Sequence, residues 1–229
     1  MRLIMVRHGD PDYEHDCLTE AGHRQAALVA GRLEREGISR IFSSPMGRAR
    51  QTASYTADKL GLPIRILPFM HEITWGGPDL PENGHPWTLS DRIMTEEDAD
   101  MSVDGWRRHP YYVHNAATKC YDEVTGQFDG VMAELGYHRT GRRYHCEGDT
   151  DRTVALFSHG GSGACVLAHL LSLPFPYVTA AMTYDFTSVI ILAFPDRPGE
   201  EVYPRLELFN DTAHLRQASS RPQIQMKPD

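Results

Sequence analysis

The hydrophobic pattern of the chain predicts strands and helices in alternation. The first apolar run, RLIMV, ends at Arg7, and two further runs, ISRIFSS and PIRIL, follow at residues 38–44 and 63–67. Continuous apolar runs of this length are typical of strands that are buried on both faces of a sheet. We therefore predict three strands in this part of the chain.

The segments between these strands carry helix signals. The first helix begins after Thr19, a favoured N-cap residue, and ends at Gly37. The second has Ser44 as its predicted N-cap, Pro45 at its first position and Gly61 as its stop. Successive strand, helix and strand units imply right-handed crossovers and a mostly parallel sheet with helices on both faces. The predicted fold class is therefore α/β, with three layers in the order α/β/α.

Residues 73–150 depart from this pattern, and we predict an inserted, lid-like segment within a single domain that spans residues 1–229. Up to Asn115 the segment mixes Gly, Pro, Trp, Tyr and His without a sustained period, which is typical of functional loops. A helix in ATKCYDEVTGQFDGVMAELG and a polar link up to Arg152 follow. The sequence then predicts a strand and helix in TVALFSHGGSGACVLAHLL, strands in SVIILAF and VYPRLELF, and a polar tail over residues 216–229.

Composition narrows the classes of function. The chain has 229 residues and a net charge of -8, with 41% hydrophobic and 24% charged residues, as in an ordinary globular protein. Negative charge with scattered Lys and Arg argues against nucleic acid and against an anionic membrane surface as partners. No run of about 18 apolar residues and no signal-peptide core is present, so a cytoplasmic location is expected. A small-molecule partner is expected, and the oligomeric state is open, a homodimer included.

Two predicted strands end in a His-Gly pair, at His8 and at His159. The carboxyl ends of parallel strands share one edge of a sheet, and open sheets bind their ligands there. A single histidine in this position could simply cap its strand, but two in matching contexts, one of them beside Arg7, favour a binding site. Arg48 joins them because it lies in the first turn of a predicted helix, where backbone N–H groups and a guanidinium both attract an anion.

Four segments in succession, VRHGD, LTEAGHRQA, IFSSPMGRARQTA and ALFSHGG, resemble the signatures of the histidine phosphatase superfamily, the phosphoglycerate mutase-like group. The resemblance covers residues 1–72 well and residues 152–195 moderately. It implies that His8 is the nucleophile that becomes phosphorylated, and that Arg7, Arg48 and His159 hold the phosphoryl group. It also implies that Glu72 is the proton donor.

The chemistry of these residue types agrees with that resemblance. Phosphoryl transfer mainly needs alignment and charge stabilisation, which two arginines and a second histidine supply without a metal. One nitrogen of His8 must be free to attack, so we predict that its other N–H is held by an acceptor such as a backbone carbonyl. Asp10, Asp79 and Glu82 are alternatives to Glu72 as the acid.

A metal or other cofactor is not expected. Four histidines lie in the middle of the chain without the close helical spacing that builds a zinc site. They are His71, His85, His109 and His114.

Two departures favour a phosphatase over a cofactor-dependent phosphoglycerate mutase-type phosphotransferase. PDYEHD follows the first motif in place of the Ser, Trp and Asn of mutases, and residues 66–91 contain no Lys or Arg to hold a second anionic group. Arg107 and Arg108, in GWRRHP, are the residues that could supply such charge. The expected activity is metal-independent hydrolysis of a small phosphomonoester through a phosphohistidine on His8. A mutase and a non-catalytic phosphate-binding protein on the same scaffold are the alternatives.

The expected aromatic lid consists of Trp75, Trp87, Trp106, Tyr111 and Tyr112.

Overall fold

The computed structural model describes residues 1–148 and 150–216. Its strands are β1 (Arg2–Arg7), β2 (Pro11–Asp12), β3 (Cys17–Leu18), β4 (Ile38–Ser43), β5 (Ile64–Ile66), β6 (Tyr137–Thr140), β7 (Arg143–Cys146), β8 (Thr153–Ser158), β9 (Val189–Ala193), β10 (Glu201–Val202) and β11 (Arg205–Asp211). Its α-helices are α1 (Glu20–Leu33), α2 (Gly47–Leu60), α3 (Pro86–Ile93), α4 (Ala116–Glu134), α5 (Gly160–Leu171), α6 (Phe175–Ala181) and α7 (Ala213–Arg216). Short 3₁₀ turns occur at Pro68–Met70, Pro81–Gly84 and Gly105–Arg108.

The central sheet has six strands in the order β11, β9, β1, β8, β4, β5. β1, β8, β4 and β5 run parallel to one another, whereas β9 is antiparallel to both β1 and β11. A second sheet of three antiparallel strands has the order β10, β7, β6, and β2 pairs with β3 in a short hairpin. The prediction of a mostly parallel α/β sheet is confirmed.

The apolar run of β1 shows why this sheet is covered on both faces. Successive side chains of a strand point to opposite faces. Leu3 and Met5 belong to the core beneath α4 and α5, while Ile4 and Val6 belong to the core beneath α1 and α2. Each of these four side chains is almost fully buried, which contributes roughly 1.5–3 kcal/mol apiece. The strand therefore lies in the middle of three layers and brings its carboxyl end to one edge of the sheet.

The first predicted helix is confirmed at its start. The hydroxyl of Thr19 accepts a hydrogen bond from the N–H of Gly22 at 3.1 Å, as an N-cap residue does. The helix ends at Leu33, before the predicted stop at Gly37.

The predicted start of the second helix is wrong. α2 begins at Gly47 rather than at Pro45, and Ser44 is not its N-cap. The N–H of Gly47 instead donates to Oδ2 of Asp16 at 2.6 Å, so a carboxylate from the loop after β2 caps the helix. This tertiary contact frees the Ser44 hydroxyl for a different partner.

The polar link predicted before Arg152 is also wrong, because β6 and β7 form a hairpin there. Its inward side chains, Tyr137, Tyr144 and Cys146, are fully buried, and the outward ones are polar. VYPRLELF is likewise not one strand. The chain leaves β10 before Pro204, a residue that cannot donate to a strand ladder, and enters β11 in the central sheet.

Part of the segment 73–150 packs into the main core. Trp106, Tyr112 and Phe128 belong to the same hydrophobic cluster as Leu3 of β1. Within residues 1–148 and 150–216, no helix is long and apolar enough to cross a membrane. Of the predicted polar tail, residues 217–229 lie outside the described part of the chain.

Candidate active site

Three neighbouring strands bring side chains to one edge of the sheet. β1 and β8 pair in parallel with Arg7 opposite Ser158, so His8 and His159 leave the sheet side by side, with ring centroids 5.1 Å apart. On the far side of β8, β4 ends next to Ser44, whose N–H donates to the carbonyl of Phe157 in β8 at 2.9 Å. This is the edge at which parallel sheets bind ligands.

The ring of His8 is held in a single tautomer by two neighbours. Its Nδ1 lies 2.7 Å from the carbonyl oxygen of Gly9, which can only accept, so Nδ1 carries the proton. Its Nε2 lies 3.3 Å from Nε of Arg48, which can only donate, so Nε2 carries a lone pair. The predicted contact between the His8 N–H and a backbone carbonyl is confirmed.

The surroundings keep His8 uncharged. Burial lowers its pKa to about 3, and the positive charges of Arg7 and Arg48 act in the same direction. An imidazole in this condition has an available electron pair on Nε2 at any physiological pH. That nitrogen faces the guanidinium of Arg48, and His8 as a whole is only 1% exposed.

His159 is bound to the residue that sequence analysis took for a helix cap. The hydroxyl of Ser44 lies 2.7 Å from Nε2 of His159 and accepts the N–H of Met46 at 3.2 Å. The Ser44 hydroxyl proton has Nε2 of His159 as its acceptor among the described residues, and when the serine donates to Nε2 the ring proton resides on Nδ1. Nδ1 is buried and has no hydrogen-bond partner in that part of the chain. Burial, followed by the nearby His8, lowers the pKa of His159 to about 2.

Arg7 is held by Tyr184 and Phe186, two residues of the loop that precedes β9. Its Nη1 donates to the carbonyl of Tyr184 at 2.7 Å, and its guanidinium lies 4.4 Å from the ring centre of Phe186. Its buried Nε finds no partner in the described part of the chain. Arg7 Nε and His159 Nδ1 are therefore two buried donors at one edge, which is an arrangement that suits an anion with several oxygen atoms.

Arg48 is fixed by the β2–β3 hairpin. Its Nη1 donates to Oδ1 of Asp16 at 2.5 Å, and its guanidinium lies 5.4 Å from the ring centre of Tyr13. Arg48 itself is 4% exposed, although both hairpin residues are open to solvent. The planar group is thus oriented by a carboxylate on one side and by His8 on the other.

Glu72 lies at the N-terminus of α5, the helix that begins after His159. Its Oε1 accepts the N–H groups of Ile73, Gly161 and Ser162 at 2.9, 3.0 and 3.0 Å. The free N–H groups at a helix N-terminus favour an acidic side chain in this position. Gly160, the first residue of the same helix, lies against the Arg7 guanidinium. The structure thus places all five predicted residues, Arg7, His8, Arg48, Glu72 and His159, at one edge.

The alternative acids lie elsewhere or are engaged. Asp10 accepts the hydroxyl proton of Thr19 at 2.6 Å, and so fixes the turn before α1. Glu82 pairs with Arg92 at 2.5 Å on the surface, and Asp79 is exposed in the loop before it. Among the described residues, no group of three or more His, Cys, Asp or Glu side chains could hold a metal ion.

The aromatic residues of the expected lid divide into two groups. Trp106 and Tyr112 are fully buried and pack on Phe175 of α6, so their role is to build the core. Trp75, Trp87 and Tyr111 remain partly exposed, and Trp87 lines a cavity together with Arg7. The expectation that the segment forms an aromatic lid is therefore wrong for Trp106 and Tyr112.

Sequence reasoning missed three residues of the site. Ser44 follows the carboxyl end of a parallel strand, as His8 and His159 do, and that position was a usable signal. Asp16 and Tyr13 carried no such signal, because they reach Arg48 only through the folding of the β2–β3 hairpin.

Comparisons with known proteins agree with this geometry. The profile of the histidine phosphatase superfamily (branch 1) matches residues 3–211, and the chain belongs to this family. The probable phosphoglycerate mutase GpmB of Yersinia enterocolitica is 28% identical over 231 residues, covering 94% of this chain and 95% of that protein.

Solved structures show the same fold. A mycobacterial glucosyl-3-phosphoglycerate phosphatase in complex with inorganic phosphate is 26% identical, with a TM-score of 0.64 over 93% of this chain and 98% of that one. A phosphoserine phosphatase from Entamoeba histolytica has a TM-score of 0.61 at 21% identity, over 93% and 98% of the two chains. Similar proteins therefore carry the names of both phosphatases and mutases.

Proposed function

We propose that this protein is a phosphatase that hydrolyses a small phosphomonoester through a phosphohistidine on His8, without a metal. The observation that carries the proposal is the state of His8. Its ring is neutral, its Nδ1–H is bound to Gly9, its Nε2 lone pair faces Arg48, and the positive charge of Arg7 is close enough to help lower its pKa. A nucleophile for phosphorus needs this combination of a free electron pair and adjacent positive charge.

In the first step, Nε2 of His8 attacks the phosphorus atom and the bond from phosphorus to the ester oxygen breaks. As the substrate binds, the Nε–H of Arg48 exchanges its hydrogen bond to His8 for one to a phosphoryl oxygen. The electron pair of the histidine thereby becomes free to attack. Arg7 Nε and His159 Nδ1 donate to the other oxygens, where charge builds up in the transition state. Glu72 gives a proton to the leaving alcohol oxygen.

In the second step, water hydrolyses the phosphohistidine. The Glu72 carboxylate takes a proton from the water, the water oxygen bonds to phosphorus, and the bond between phosphorus and Nε2 breaks. Inorganic phosphate leaves, and His8 returns to its neutral form. One carboxyl group thus acts as an acid and then as a base.

The pairing of Arg107 and Arg108 favours hydrolysis over the mutase reaction. A mutase must hold a substrate with both carboxylate and phosphate, which calls for additional cations. Arg107 binds Asp122 at 2.5 Å and packs on Trp106, and Arg108 binds Asp100 at 2.5 Å. Both residues therefore have partners outside the site.

The proposal is tested with purified protein and a panel of alkyl and aryl phosphates in the presence of a chelator. We expect phosphate release by the wild type, and a loss of about 10³-fold or more in His8→Ala, because no other group can form the intermediate. Acid-labile labelling of the wild type by a radiolabelled substrate, absent from the variant, would identify the phosphohistidine.

Three results would contradict the proposal in different ways. Activity that requires added metal overturns the metal-free mechanism. Interconversion of phosphoglycerates with little phosphate release assigns the protein as a mutase. Phosphate binding without turnover of any ester assigns a non-catalytic phosphate-binding protein.

A further inference from the structure

Trp75, His85 and Trp87 form a cluster of three rings, here called the aromatic wall. The ring centroids of Trp75 lie 5.1 Å from His85 and 6.0 Å from Trp87, and His85 lies 5.3 Å from Trp87. Both contacts of Trp75 are edge-to-face, a favourable geometry for aromatic pairs. Trp75 is nevertheless 41% exposed, so a large apolar surface faces solvent.

The aromatic wall borders the phosphate-binding residues. A small cavity of about 60 Å³ is lined by Arg7 and Gly160 together with Trp87. The chain itself makes a second connection, because Trp75 follows Glu72 by three residues. The cavity lining and the short chain segment both place the wall close to the residues assigned to the phosphate and to the proton donor.

The wall is preformed by one buried amide, the side chain of Asn115. Its Oδ1 accepts the N–H of Gly76 at 3.2 Å and its Nδ2 donates to the carbonyl of Gly84 at 2.8 Å. Each glycine neighbours a wall residue. Gly84 has a φ of +74°, and a Cβ there would lie 2.7 Å from Gly76, so the two loops touch at their backbones. Because these loops are already ordered, the binding of a ring does not carry the entropy cost of ordering them.

Arg7, the cation that lines the cavity together with Trp87, is assigned to the phosphoryl group, and the wall itself adds no charge that would attract a second anionic group. Residues 66–91 contain no Lys or Arg, and Arg92 is paired with Glu82 at 2.5 Å. Burial lowers the pKa of His85 below its ordinary value, so this ring is neutral at pH 7. A carboxylate on the leaving group would lose water here and gain no partner in exchange.

We infer that the leaving group of the substrate is an uncharged, ring-bearing alcohol that packs against Trp75, His85 and Trp87. This inference rests on the proposed phosphatase function, because it assigns the part of the ester that leaves with the Glu72 proton. Flat rings stack on indole faces regardless of their substituents, so the wall selects a ring and disfavours a carboxylate.

Three phosphate esters with alcohols of similar acidity test the inference: benzyl, ethyl and 4-carboxybenzyl phosphate. We expect kcat/KM for benzyl phosphate to exceed that for each of the others by about tenfold, from ring stacking in one case and carboxylate desolvation in the other. Trp75→Ala and Trp87→Ala should lower the ratio of the benzyl value to the ethyl value by about fivefold to tenfold.

Two variants serve as controls. Trp75→Phe keeps a ring in place and should retain most of the benzyl preference. Tyr177→Ala removes a ring of α6 that is as exposed as Trp75, at 41%, but lies outside the wall, and should leave all three substrates unaffected.

Equal kcat/KM values for the three esters, or a benzyl preference that survives in both alanine variants, would overturn the inference while leaving phosphatase activity intact. If no ester is hydrolysed, the proposed function fails. The wall is then tested by the binding of benzylphosphonate and ethylphosphonate, with tryptophan fluorescence as the readout. A benzyl preference of about tenfold that is lost in Trp87→Ala supports the wall, and equal affinities overturn it.

Discussion

Asp16 holds the guanidinium of Arg48 and at the same time caps the helix that carries it. Oδ1 of Asp16 accepts from Arg48 Nη1 at 2.5 Å, and Oδ2 accepts from the N–H of Gly47 at 2.6 Å. Because Arg48 also donates to Nε2 of His8, the carboxylate is linked to His8 through one intervening residue. We therefore expect Asp16 to act as a positioning residue.

We expect Asp16→Ala to lower kcat/KM by about tenfold and to destabilise the fold by about 1 kcal/mol, because both the orientation of Arg48 and a helix cap are lost. Asp16→Asn retains an oxygen that can accept from Gly47 but removes the charge that faces Arg48. This variant should keep nearly the full free energy of unfolding and still lose activity. Steady-state kinetics and urea unfolding of the two variants separate the roles; equal activity loss and equal destabilisation in both would contradict this assignment.

A second prediction concerns Ser44 and the tautomer of His159. Without the hydroxyl that donates to Nε2, the His159 proton can reside on either ring nitrogen, so Nδ1 is a donor for only part of the time. Ser44→Ala should reduce kcat by about tenfold. Orthovanadate, which imitates the transferring phosphoryl group, should bind more weakly by a similar factor.

The matched control is Ser43→Ala. Ser43 is equally buried, but its hydroxyl donates to the carbonyl of Ser44 and does not reach His159. It should lose stability of the order of 1 kcal/mol and keep its kcat. An unchanged kcat in Ser44→Ala, or an equal loss of kcat in both variants, would mean that the serine has no specific effect on His159.

These residues also show what could be read from the sequence. His8 and His159 were predictable because each directly follows an apolar strand, and Arg48 because it lies in the first turn of a helix that follows an apolar strand. Ser44 was misassigned because its local context, Ser before Pro, is that of an N-cap. The true cap, Asp16, comes from a loop that precedes Gly47 by 31 residues, and no local pattern announces such a contact.

The same limitation applies to predicting which tryptophans of the inserted segment are buried. Trp75, Trp87 and Trp106 are alike in sequence terms, since each stands beside Gly or Pro in a region without a period. Only packing distinguishes them: Trp106 fills the space between α4 and α6, whereas Trp75 stays at the surface. The β6–β7 hairpin was missed for a related reason, because its four-residue strands are too short to show alternation against a polar background.

A third prediction follows from the neutral histidines of the site. The folded-state pKa values of His8 and His159 are lowered to about 3 and about 2, whereas an unfolded histidine has a pKa of about 6.5. Below pH 6.5 the unfolded chain therefore binds protons that the folded chain does not. The stability conferred by each neutral histidine is fully present above that pH and declines as the pH falls, by up to about 1.4 kcal/mol per pH unit.

Urea unfolding at pH 7, 6 and 5 measures this dependence. His159→Gln should have a shallower decline than the wild type over this range, whatever its stability at pH 7. If the slope of His159→Gln equals that of the wild type, His159 is not held neutral in the folded protein.

The last prediction concerns Glu72 and the close approach of Gly161. A Cβ at Gly161 would lie 2.5 Å from Oε1 of Glu72 and 2.4 Å from a side-chain carbon of Ile73, so Gly161→Ala must displace the carboxyl group. Glu72→Gln keeps a similar shape, and its amide oxygen can still accept from the helix N-terminus, but it has no acidic proton to give. Glu72→Gln therefore removes proton donation, whereas Gly161→Ala weakens it by moving the donor.

Proton donation matters most when the leaving alcohol is weakly acidic. We expect Glu72→Gln to lower kcat/KM by about 10²-fold to 10³-fold for alkyl phosphates and by far less for 4-nitrophenyl phosphate, whose leaving group departs as a stable anion. Gly161→Ala should show the same dependence on the leaving group with a smaller amplitude, because a displaced carboxyl can still reach the oxygen in part of the molecules. A plot of log kcat/KM against leaving-group pKa makes the comparison, and should be steep for both variants and shallow for the wild type. Parallel plots for Glu72→Gln and the wild type would show that the proton comes from another group.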